Sequence, residues 1–261
     1  MDCRIRVSLI YDVPQSTTVL LQVRAMTDPE QVVTDEVFDV PSHATWREIA
    51  GDEGIGSRTW MQIDDRLELT YQARVTVERS VPDIASLPCT PNFQLNAEDV
   101  KYLMASRYCR AWGFTDFLED FAHLEGGAKV QAMSDWITAN VTYDNGASDV
   151  ETTAQDTFDS RRGVCRDFAH LLIALCRCSA IPARIASVYS PEVTPPDFHA
   201  VAQVYLDGAW RLIDPSGMST PDRMVVCGVG RDAADVSFLT SFGALKFVSQ
   251  SVHVTPVVEN R

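Results

Sequence analysis

Apolar and polar residues alternate with period two through the first third of the chain. The apolar positions are Cys3, Ile5, Val7 and Leu9, then Val19, Leu21 and Val23, and later Leu67, Leu69, Tyr71, Ala73, Val75 and Val77. This alternation predicts strands with one face turned to a core. The runs are separated by the turn-rich stretches DVPQS, TDPEQ and GDEGIGS, which point to antiparallel pairing in a sandwich or small barrel. The segment VPDIASLPCTPN, with prolines at 82, 88 and 91, then reads as a linker.

Past that segment the apolar spacing becomes helical. Asn96 is placed to cap AEDVKYLMASRYC, and Thr115 to cap DFLEDFAHL, which would end at Gly126 and Gly127. AKVQAMSDWITANV carries Val130, Met133, Ile137 and Val141 on one side, and Trp112, Trp136 and Met133 are assigned to the core of this helical layer. A helix from Cys165 to about Ser179 follows, then a strand over Ile185 to Tyr189 and the proline-rich loop SPEVTPPD. Two more strands, FHAVAQVYL and AWRLID, flank Asp207-Gly208, a strong two-residue hairpin signal. The expected organisation is a β-rich N-terminal domain over 1–80, a linker over 81–95 and an α+β domain over 96–261.

Composition narrows the functional classes. The 261 residues are 46% hydrophobic and 22% charged, which is ordinary for a globular protein. Lys plus Arg number 22 against 36 Asp plus Glu, a net charge of −14, so the surface repels nucleic-acid phosphates and anionic lipid. Neither nucleic acid nor membrane is an expected partner. The opening MDCRIRVSLIYDV lacks a signal peptide's apolar run, and the expected location is the cytoplasm. Seven scattered cysteines suggest reduced thiols, not a disulfide framework. Cys176, Cys178 and His170 have poor spacing for zinc, and DNGASD lacks the ligand spacing of a calcium loop, so no metal or cofactor is expected.

One cysteine has a distinctive setting. In RRGVCRDFAHLL, Cys165 opens a helix, where free N–H groups and the helix dipole favour a thiolate. Arg162 and Arg166 are close in sequence, and Gly163 is expected to let a substrate backbone approach. A nucleophilic cysteine requires a histidine to carry its proton and a group to orient the imidazole. His43, His123, His170 and His253 each have an ordinary structural explanation. His199 differs: a two-residue turn at Asp207-Gly208 pairs Leu206 with Ala209, brings Val201 opposite Asp214, and makes His199 and Asp214 diagonal neighbours on one face. Ala200, Ala202 and Val204 then face the other way. For Asp214 by itself, the alternative is simple strand termination at Asp-Pro.

GVCRDFAHLLIALCRCSAIPAR followed by DFHAVAQVYLDGAWRLIDPSG resembles the transglutaminase-like superfamily, particularly its bacterial members of the cysteine-protease type, over about residues 95 to 220. The strand-rich segment before it is similar to the β-rich N-terminal domain of such proteins. The resemblance implies a papain-like α+β core preceded by an antiparallel β-sandwich-like domain, with Cys165 as nucleophile, His199 as general base and acid, and Asp214 as the orienting carboxylate. It also implies acyl transfer on amide or peptide substrates through a thioester, as a protease, amidase or transglutaminase, with a protein or peptide as partner. The alternative is a catalytically silent peptide-binding or scaffolding module of the same fold. Where the family often has Trp and an acidic residue, this chain has Val201 and Gln203, and Val201 is expected on the site's face, where it would reshape the cleft.

Overall fold

The computed structural model describes residues 1–257. The N-terminal half contains β1 (Asp2–Leu21), β2 (Gln31–Asp39), β3 (Thr45–Ala50) and β4 (Ser57–Val77). After two short helical turns come α1 (Ala97–Val100), α2 (Thr115–Leu118), α3 (Gly126–Asn140), β5 (Thr142–Tyr143), α4 (Ala154–Ser160), β6 (Arg162–Gly163) and α5 (Cys165–Cys178). β7 (Ala183–Tyr189), β8 (His199–Leu206), β9 (Ala209–Ile213), β10 (Val225–Gly230), β11 (Leu239–Ser241) and β12 (Lys246–Pro256) complete the chain.

The long strands β1 and β4 pair antiparallel along nearly their whole length, and their register shifts between Val13 and Thr17. β12 and β2 flank the pair on one side of this irregularity, while β11 and β3 flank it on the other. Inward residues from both stretches, among them Ile5, Leu9, Val19, Ile63, Leu69 and Val75, share one core. The predicted antiparallel β-rich unit is therefore present. Its boundaries are corrected, because residues 239–256 return to pair with β1 and do not belong to the α+β unit. The 81–95 segment is not a free tether either: Gly127 donates to Leu87 O at 2.8 Å, and Cys89 forms a bridge with Leu206.

The second half is built on an antiparallel sheet of order β10-β7-β8-β9. One face receives α5 and α3 through Leu171, Leu172, Leu175, Ile137, Ile185, Ala202 and Val204. Small residues on β8 let the apolar helix lie close to the sheet. The other face, with Val188, Val201, Leu212 and Val226, is covered partly by Met26 and Ile55 from the N-terminal half. Gln31 joins the two halves: its buried amide donates to Val226 O at 2.9 Å and accepts from Val226 N at 2.7 Å, replacing a missing strand neighbour.

Several local expectations are corrected. The α1 helix ends after one turn and continues only as a 3-10 turn, and neither Asn96 nor Thr115 provides a side-chain cap. The glycine pair at 126–127 opens α3 and does not close the preceding helix. A Cβ on Gly127 would meet Ile84 O at 1.7 Å, so the glycine lets α3 abut the 84–87 segment. Met133 is buried, but Trp112 is 59% exposed because no helix forms there to turn it inward.

Candidate active site

The β8-β9 hairpin has the predicted register, with Leu206 opposite Ala209 and Ala202 opposite Ile213. Ala202 and Val204 face the α5 side and Val201 the opposite side, as the alternation requires. At the end of the hairpin, His199 Nε2 lies 2.8 Å from Asp214 Oδ2, with both side chains buried. Asp214 is itself fixed: Oδ1 accepts the Ser216 N–H at 2.9 Å and its hydroxyl at 2.6 Å, and Oδ2 accepts the Ser219 N–H at 3.1 Å. The SPEVTPPD loop braces this turn, since Ser190 Oγ lies 2.7 Å from Ser219 Oγ and Glu192 accepts from the same hydroxyl.

Cys165 is the first residue of α5 and lines a cleft of about 540 Å³ together with His199. With Nε2 held by Asp214, His199 Nδ1 is buried and has no hydrogen-bond partner among the described residues. Burial disfavours a charged imidazole. The Asp214 hydrogen bond, the adjacent Cys165 sulfur and the negative charge of both neighbours outweigh burial and raise the His199 pKa to about 10. The opposite holds for Asp214: burial would raise its pKa, but the bonds from His199 and Ser216 hold it below the ordinary carboxylate value.

The approach to Cys165 differs in detail from the sequence-based expectation. Asp167 Oδ2 accepts the Val164 N–H at 2.9 Å, and Asp167 is 1% exposed. A Cβ on Gly163 would lie 2.7 Å from Asp167 Cβ, so this glycine makes room for a carboxylate, not for a substrate. Arg166 holds Asp167 and also donates to Ser148 Oγ at 2.7 Å, while exposed Arg162 pairs with Asp144. Val201 does not line the cleft but is sealed into the apolar layer behind it, and Gln203 accepts from Arg184 on the far side of the sheet. Val201 therefore does not reshape the cleft, contrary to expectation.

Two residues in the site had not been predicted. Tyr143 pairs with Gly163 across β5-β6, which brings its hydroxyl beside the Cys165 sulfur and backbone N–H. Burial, followed by the negative charge of Cys165, pushes its pKa up to about 12, so the phenol keeps its proton at neutral pH. Gln22, the residue after β1, lines the same cleft. The other histidines are accounted for elsewhere: His170 is buried, stacked on Tyr108 with ring centroids 5.1 Å apart, and its Nε2 accepts from Ala233 N. His43, His123 and His253 are exposed. All seven cysteines are free, and among the described residues no group of three or more His, Cys, Asp or Glu could hold a metal ion.

Residues 118–215 match the sequence profile of the transglutaminase-like superfamily. The chain belongs to this superfamily. The crystal structure described as a "putative cysteine protease" from Cytophaga hutchinsonii is 30% identical and superposes with a TM-score of 0.93, covering 100% of this chain and 92% of that one. An uncharacterised protein of Mycobacterium leprae (strain TN) is 29% identical over 116 residues, 41% of this chain and 42% of its own length. One from Mycobacterium tuberculosis (strain H37Rv) is 33% identical over 115 residues, 38% and 37% of the two chains. The chain thus matches only about two fifths of the length of these curated relatives. Among the described residues, no helix is long and apolar enough to cross a membrane.

Proposed function

We propose that this protein is a cysteine-dependent acyl-transfer enzyme acting on amide bonds of protein or peptide substrates. The observation that carries this reading is the buried His199–Asp214 contact of 2.8 Å, which leaves Nδ1 of the ring unpartnered in the cleft that Cys165 lines. Asp214 accepts the Nε2 proton and fixes the tautomer and orientation of the ring, and Nδ1 exchanges a proton with sulfur.

The Cys165 thiolate attacks the amide carbonyl carbon, forming a C–S bond, and the carbonyl electron pair moves onto oxygen. The Cys165 N–H and the Tyr143 hydroxyl are adjacent donors suited to that oxyanion. As the tetrahedral species collapses, the C–N bond breaks and His199 delivers its Nδ1 proton to the departing nitrogen, leaving a thioester. Water or a primary amine then attacks the thioester, His199 takes up the proton of the incoming group, and the C–S bond breaks. Water completes hydrolysis; an amine completes transamidation. Seven free thiols support a reducing compartment as the place of action, and we propose the cytoplasm.

The test is to incubate the protein and its Cys165→Ala variant with casein, with and without a labelled primary amine, and to read the products by mass spectrometry. New peptide ends, deamidation and amine incorporation distinguish protease, amidase and transglutaminase, and each is expected to vanish in the variant. Equal product from both proteins rejects the proposal. If neither protein turns over a broad panel and Cys165 alkylates no faster than an exposed thiol, the protein is a binding module instead.

A further inference from the structure

Gln22 is 2% exposed, yet neither Oε1 nor Nε2 has a hydrogen-bond partner within the protein among the described residues. A buried amide left unpartnered on both atoms is costly, because it has given up its water without a replacement. Its position is nevertheless enforced. The backbone N–H of Gln22 donates to Phe238 O at 3.0 Å, and the side chain lies over Gly228, where a Cβ would come within 1.9 Å of Nε2.

Gly228 follows a register shift in β10 and pairs directly with Ser187 on β7. Directly paired residues point to the same face, so the Gln22 amide and the Ser187 hydroxyl are neighbours. Ser187 Oγ is also buried without a partner among the described residues, and Ser187 pairs on its other side with Ala200, the residue after His199. Gln22, Ser187, His199 and Cys165 all line the same cleft. The strand irregularity and the glycine thus make room for a polar group that has no partner among the described residues.

We infer that Gln22 and Ser187 form a recognition subsite for a backbone peptide group flanking the bond under attack, so that the acyl substrate is an extended peptide and not an isolated amide. This rests on the acyl-transfer reading above. A carboxamide is the natural complement of a peptide group, because Oε1 accepts an N–H while Nε2 donates to a C=O. Ser187 adds a third polar contact. Because Gln22 directly follows β1, the N-terminal half supplies part of the substrate site.

The test compares two reagents that alkylate Cys165 through the same chloromethyl ketone, with the C–S bond formed and chloride expelled. Acetyl-Ala-Ala chloromethyl ketone carries peptide groups, and chloroacetone carries none. Gln22→Met is expected to lower the rate with the peptidyl reagent at least tenfold while leaving the chloroacetone rate and the thermal midpoint unchanged or the midpoint raised. Ser187→Ala should give a smaller loss of the same kind. A Gln22→Met protein that keeps its preference for the peptidyl reagent, or one that loses both rates together with thermal stability, overturns the inference. If Cys165 reacts with neither reagent, the acyl-transfer reading fails separately. The subsite is then judged by calorimetric binding of acetyl-Ala-Ala-methylamide to the Cys165→Ala protein: weakening by Gln22→Met upholds it, and unchanged or absent binding overturns it.

Discussion

Gly163 and Asp167 are packed so closely that a Cβ on the glycine would lie 3.0 Å from the carboxylate oxygen that accepts the Val164 N–H. That carboxylate fixes the turn into Cys165, so the glycine controls the position of the sulfur indirectly. Gly163→Ala is expected to destabilise the protein by about 1–3 kcal/mol in urea denaturation, the usual cost of overpacking. It is also expected to slow alkylation of Cys165 by iodoacetamide. Wild-type values for both would show that the turn can relax without moving the Cys165 sulfur.

The His199–Asp214 pair sets a pH dependence of stability. The His199 pKa is raised from its ordinary 6.5 to about 10, so its protonated ring contributes stability in full below pH 6.5 and loses it as pH rises through about 10. The Asp214 carboxylate contributes above its ordinary 3.8 and loses that contribution as pH falls. Asp214→Asn should therefore lower the thermal midpoint most between about pH 4 and 6.5, with the deficit shrinking as pH rises from there toward about 10, and should reduce turnover by roughly 10²–10⁴-fold. A deficit that stays constant across pH 5–10 would contradict the assignment.

Tyr143 gives a separable effect. Tyr143→Phe removes the hydroxyl but keeps the ring that packs against Phe168 at 6.0 Å. The expected result is a fall in kcat of roughly 10²–10³-fold with KM and the thermal midpoint nearly unchanged, the pattern of a donor used mainly in the transition state. A change confined to KM would instead make Tyr143 a substrate contact.

Arg177 holds α5 from the opposite end. It is 3% exposed and donates to the carbonyls of Tyr102, Ala183 and Arg231 and to Ser106 Oγ, so one guanidinium ties the helix to the chain before and after it. Arg177→Met leaves several buried acceptors without a donor and is expected to cost about 3–5 kcal/mol in chemical denaturation. Arg177→Lys should recover only part of this, since an ammonium cannot span the same acceptors. A loss below 1 kcal/mol would mean that the carbonyls find other donors.

What could be read from the sequence was local or periodic. Asp207-Gly208 specifies a two-residue turn, and that turn alone sets which residues face each other, so the His199–Asp214 relationship followed from short-range chemistry. Alternation likewise identified the inward residues of β1 and β4. The missed residues reach the site through long-range pairing: Tyr143 through its bridge to Gly163, and Gln22 because the segment before β11 returns beside β1. Neither contact leaves a mark within a window of ten residues. Trp112 and the Gly126-Gly127 pair were misread for a related reason. Helical spacing there was real, but tertiary packing stops the helix at Val100 and makes the glycines an entry point instead of an exit.

The pairing of β12 with β1 joins polypeptide segments separated by more than two hundred residues, with the region that carries Cys165 looped out between them. Leu239, Thr240 and Gln250, from this late segment, also form part of the cleft wall. A ribosome therefore exposes Cys165 long before it releases the strand that closes the wall around it. Assembly of the fold acts as a timer, and the sulfur acquires its finished surroundings only after synthesis has passed residue 256.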